Sequence, residues 1–168
     1  MKDKLLTHFR KIGARRFVVG TVIILVILDI LNCVYLKLAW VKNDLSQRMV
    51  LQIINQMKLQ PADFNPTTML EIRGLVDKSF DFFMFIILIN NLFFYFFYLR
   101  KKLWAQGYVL FYTLTAAIFS ATLLFDGYGM GAGWLIFNLI TIPFYIYLYM
   151  GVKLLKDETT LVPQKKVR

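Results

Sequence analysis

Asn90 and Asn91 stand side by side in a run of phenylalanines and aliphatic residues, and Asp29 stands in another such run. Midway along a helix in hydrocarbon these side chains have few uses. An amide bonds to a polar group on a neighbouring helix, for about 0.5–2 kcal/mol. A charged carboxylate costs about 2.5–3.5 kcal/mol to insert, so it is protonated, reaches water, binds a cation or meets a basic group of a partner. No Lys or Arg lies at the depth of Asp29. Its expected roles are therefore a neutral acid inside a polar seam, a proton- or cation-linked group, or a partner contact. Asn32, Thr115, Asn138 and Thr141 are further polar candidates at membrane depth. Asp81 and Asp126 fall at the ends of apolar runs, where paired carboxylates work as acid and base or hold a cation. The structural alternatives are an anion at a helix N-terminus for Asp81 and a turn opener before glycines for Asp126.

Other chemistry lacks its residues. Cys33 and His8 are each the sole residue of their type. A disulfide within one chain, a His/Cys metal site and a Ser-His or Cys-His pair at membrane depth are thereby excluded. The glycines of "DGYGMGAG" follow no strand and precede no Lys-Ser/Thr, so they suit a tight turn rather than a phosphate loop. No catalytic residue, metal or cofactor is assigned.

The elements that would position these groups are membrane helices. The 168 residues are 58% hydrophobic, with a mean hydropathy of +0.57. A hydrocarbon core about 30 Å thick needs about 20 apolar residues per helix. Residues 17–40, 80–99, 104–125 and 134–152 meet that length. The expected fold is an all-α integral membrane protein: a four-helix membrane domain over 17–152, a basic segment over 1–16 and a basic tail over 153–168. At about 100° per residue, each span carries one polar seam. The seams are Thr21, Asp29 and Asn32; Asp81, Asn91, Tyr95, Tyr98 and Lys102; Tyr108, Tyr112, Thr115, Thr122 and Asp126; and Trp134, Asn138, Thr141, Tyr145 and Tyr149. Asn90 points about 100° away from Asn91, towards a second helix or another subunit.

Residues 41–79 form an amphipathic helical excursion on the far side of the membrane. Asp44 with Gln47 resembles a capping box opening a helix over 45–59, which buries Val50, Ile53, Ile54 and Met57 or offers them to a partner. Asn65-Pro66 opens a second helix leading into the next span. In the N-terminal segment Leu5, Leu6, Phe9 and Ile12 share one side, flanked by Lys4, Lys11 and Arg15. That pattern suits either a helix on an anionic leaflet or a charged topogenic flank.

Fourteen of the 20 Lys and Arg fall in the N-terminal segment, the 100–102 connection and the tail. With four spans these share one side, so both ends are expected in the cytoplasm. The net charge of +10 thus reports topology and anionic headgroups at the basic ends, and no nucleic-acid module is present. The setting is expected to be a bacterial inner membrane, with the endoplasmic reticulum membrane as the alternative that the Lys165-Lys166 tail suggests. Three functions follow. The first is a non-enzymatic subunit or assembly factor of a membrane complex, partnered by another membrane protein or by itself. The second is an oligomeric transporter or channel linked to Asp29, and the third a membrane enzyme working through Asp residues.

Overall fold

A computed structural model describes residues 2–58, 64–125 and 132–161. All regular structure among them is helical: α1 Lys2–Ile12, α2 Ala14–Lys42, α3 Leu45–Gln56, α4 Pro66–Leu99, α5 Leu103–Phe125 and α6 Ala132–Leu161. Among the described residues, three helices are long and apolar enough to cross a membrane: α2, α4 and the Ala132–Lys156 part of α6. At 1.5 Å per residue, the 29 residues of α2 and the 34 of α4 exceed a hydrocarbon core about 30 Å thick. The helix expected to open at Asn65-Pro66 and the apolar run over 80–99 are one uninterrupted helix, α4.

The helix ends have local causes. Gly13 adopts φ 84° between α1 and α2, and its N–H reaches the carbonyls of Phe9 and Arg10. That left-handed position favours glycine. Lys101 takes the same role after α4 at φ 57°. Its N–H bonds to Tyr98 and that of Lys102 to Phe97, a Schellman closure with lysine where glycine is usual. Asn65 caps α4, its side chain accepting from the Thr67 N–H at 3.2 Å. Asp44 precedes α3 in a left-handed conformation and makes no capping bond. The expected capping box is replaced because the Asp44 carboxylate is held by Arg73 at 2.6 Å.

The chain divides into two compact units, Met1–Leu28 with Asn91–Arg168, and Asp29–Asn90. In the first, α5 packs along α6 and α1 folds onto α6. The buried stripe of α6 is Trp134, Asn138, Thr141, Tyr145, Leu148 and Val152, at alternating spacings of four and three. The stripe of α5 facing it is small: Ala105, Val109, Thr113, Ala117 and Ser120. Small residues let helix backbones approach in the absence of a hydrophobic driving force within lipid. Phe9 of α1 is fully buried among Phe17, Tyr147 and Gly151. The apolar side of α1 is thus covered by protein, and Lys4, Arg10 and Lys11 remain exposed.

In the second unit, the end of α2, α3 and the start of α4 are tied by side chains. Lys37 pairs with Asp81 at 2.5 Å, the Trp40 indole N–H donates to Asp77 at 2.7 Å, and Trp40 stacks on Phe80. Arg73 donates to Asp44 and, at 3.2 Å, to the hydroxyl of Ser46.

Candidate functional site

The polar residues of the first unit form a buried and largely self-satisfied seam. Asn91, Tyr95 and Tyr98 are buried on α4, Asn138, Thr141 and Tyr145 on α6, and Thr21 on α2. The Tyr108 hydroxyl donates to the side-chain oxygen of Asn91, and Phe94 stacks on the Tyr108 ring. Three groups bond back to their own helix. Thr113 Oγ1 donates to the Val109 carbonyl at 2.8 Å, Asn138 Nδ2 to that of Trp134 at 2.9 Å, and Thr141 Oγ1 to that of Asn138 at 3.2 Å. Such bonds cancel the desolvation of a buried polar group without a second helix. Among the described residues of this unit, no charged side chain is buried in the seam.

On α5 the buried polar residues are Thr113 and Ser120, whereas Thr115 is exposed. Two residues along a helix turn the side chain by about 200°, so only one of the two threonines can face α6. Thr122 is also exposed, and its hydroxyl returns to the Phe119 carbonyl.

In the second unit Asp29 is buried, at 5% exposure, Asn32 is half-buried and Asn90 is exposed. The adjacent amides thus have different surroundings, Asn91 buried and Asn90 outward. Asp81 is in a half-exposed ion pair with Lys37. Asp126 lies outside the described residues, as do Pro61, residues 127–131 of the glycine-rich stretch and the Lys165-Lys166 tail, while Ala132 and Gly133 of that stretch already belong to α6. Among the described residues no three His, Cys, Asp or Glu side chains gather as metal ligands would.

The α3 face is narrower than its apolar pattern implies. Val50 and Ile54 are buried, at 2% and 3% exposure, while Ile53 and Met57 stay exposed at 39% and 65%. A stripe wide enough for all four would need a second element over α3. Beside it, Gln47, Val50, Pro66, Met69, Leu70 and Arg73 line an open groove of about 360 Å³. Sequence reasoning missed the Arg73–Asp44, Trp40–Asp77 and Lys37–Asp81 links and the close approach at Gly151. The only signal for the links was opposite charge at the ends of apolar runs.

The chain matches no protein-family model, and no curated protein or solved structure is found similar to it.

Proposed function

We propose that this chain is a four-span membrane protein acting as a non-enzymatic subunit or assembly factor of a membrane complex, with α5 as the fourth span. At 23 residues α5 is long enough for a core about 30 Å thick. The basic segments then share the cytoplasmic side and α3 lies on the opposite one. The observation carrying the functional reading is the α3 face. Val50 and Ile54 anchor the helix, while Met49, Ile53 and Met57 stay exposed, and Val50 also lines the groove. Met-bearing, adaptable apolar surfaces suit partner docking. The polar seam supports the same reading, since Tyr108 bonds to Asn91 while Thr113, Asn138 and Thr141 bond to their own helices.

Purification of the tagged full chain in mild detergent tests this. A second membrane protein should copurify in stoichiometric amount. Ile53→Asp should release it with the fold intact, and Gln52→Asp should not. Equal retention with both variants would remove α3 as the docking face.

Burial of Asp29 favours a second reading, an oligomeric transporter or channel coupled to protons or cations. Asp29→Asn separates the two. The variant should keep assembly and activity if Asp29 is adhesive, and should abolish transport with the fold intact if it carries a proton.

A further inference from the structure

We infer that α4 pairs with α4 of a second copy of this chain, with Asn90 meeting Asn90 across a two-fold axis; this rests on the membrane-spanning reading above. The first observation is the contrast between the neighbouring amides. Asn91 is buried in the seam with Tyr108 as its partner. Asn90 is exposed on an apolar helix, where a polar surface must meet lipid unless another protein covers it. Asn90 does interact within its own chain. A carboxamide has two donor hydrogens and two acceptor lone pairs, so it can hold an own-chain bond and a further one at once.

The second observation is the spacing around it. Ser79, Phe83, Ile86, Asn90 and Phe93 are all exposed and follow one another at intervals of four, three, four and three. This is the 3.5-residue repeat of a helix pair, with Asn90 at the kind of seam position where a single asparagine sets register and pairing. α4 already directs a different stripe, Asn91, Tyr95 and Tyr98, into its own unit. Two seams on one helix, one buried and one outward, fit a helix shared between an internal bundle and an external partner.

The third argument identifies the partner as a second copy. Copies of one chain insert with one topology, so α4 meets α4 in parallel and each position faces its own counterpart. The asparagine amide is self-complementary, each side chain donating to the other's oxygen. An isologous contact needs that property. A different membrane protein would need a polar group at the same depth, whereas a second copy supplies one by symmetry.

The test uses the full chain in native membranes in a Cys33→Ser background. Under mild oxidation, Ile86→Cys should give a covalent dimer. Phe85→Cys, also exposed but about 100° around α4 from Ile86, should not. In nanodiscs, energy transfer between labelled copies should show Asn90→Leu dissociating about tenfold more readily than wild type, with Asn90→Gln close to wild type. The Ile86→Cys variant keeps Asn90, so it reports on pairing even if Asn90→Leu folds poorly. Equal cross-linking at both positions, a wild-type monomer, or cross-linking only to an unrelated protein would overturn the inference. A water-soluble maleimide separates its failure from that of the membrane reading. Labelling of the Ile86→Cys thiol shows that α4 does not span. A protected thiol that forms no dimer overturns the pairing alone.

Discussion

The two compact units differ in the polar side-chain contacts that join their helices. The first uses neutral groups: tyrosine, asparagine and threonine hydrogen bonds, small residues on α5 and an aromatic cluster around Gly151. The second uses charges, with Lys37–Asp81, Arg73–Asp44 and the Trp40–Asp77 bond joining its helices. The difference follows from surroundings. In hydrocarbon an unpaired ion is excluded, and helices adhere by close packing and neutral hydrogen bonds. Where water reaches, ion pairs form readily and contribute little.

The largest expected effect breaks the second unit at its apolar anchor. Ile54→Asp places a carboxylate at a site 3% exposed, without a charge partner. An unpaired buried charge lies in the tail of mutational effects, about 4 kcal/mol or more, and α3 should lose amide protection in hydrogen exchange. Next is the first unit's closest approach. A Cβ at Gly151 would fall against the Phe17 ring and 2.8 Å from Cε1 of Phe9. Gly151→Leu should cost about 1–3 kcal/mol and expose α1 to protease. A melting point in detergent equal to wild type, with α1 still protected, would refute the docking of α1 on α6.

Smaller effects sharpen the contrast. Tyr108→Phe removes the hydroxyl that bonds Asn91 while keeping the ring on Phe94, and should cost about 0.5–2 kcal/mol with no dependence on salt. Arg73→Met breaks a half-exposed pair, 42% and 45% exposed, and should cost only about 0–1 kcal/mol. That loss should shrink further in 1 M salt, where the screening length falls to about 3 Å. If Tyr108→Phe proved salt-sensitive and Arg73→Met did not, the division by force type would fail.

Much of this was readable from the sequence where one residue type signals one surrounding. The apolar lengths of α2, α4 and α6 announce helices. The buried faces of α4 and α6 follow from tyrosines and asparagines spaced at three and four. The α5 face was harder to read. A threonine bonds back to its own helix, as Thr113 and Thr122 both do, so a hydroxyl does not mark the inward side. The markers there are Ala105, Ala117 and Ser120, which look featureless in a chain rich in small and apolar residues. Asp44 has the right spacing for a cap, yet Arg73 is 29 positions away and competes for it. Ile53 and Met57 continue the apolar period of Val50 and Ile54, and periodicity alone does not say how wide a stripe its neighbours cover. The docking of α1 depends on a single missing Cβ at Gly151, which no local pattern reports.

The proposed four-span arrangement requires α5 to cross the membrane, because only then do the basic segments share one side and α3 face the other. Single cysteines at Gln56, Lys102 and Ala132, in a Cys33→Ser background, test this with an impermeant maleimide applied to sealed vesicles of each orientation. Gln56→Cys and Ala132→Cys should label from one side and Lys102→Cys from the other. Labelling of Lys102→Cys and Ala132→Cys from the same side would contradict the four-span arrangement.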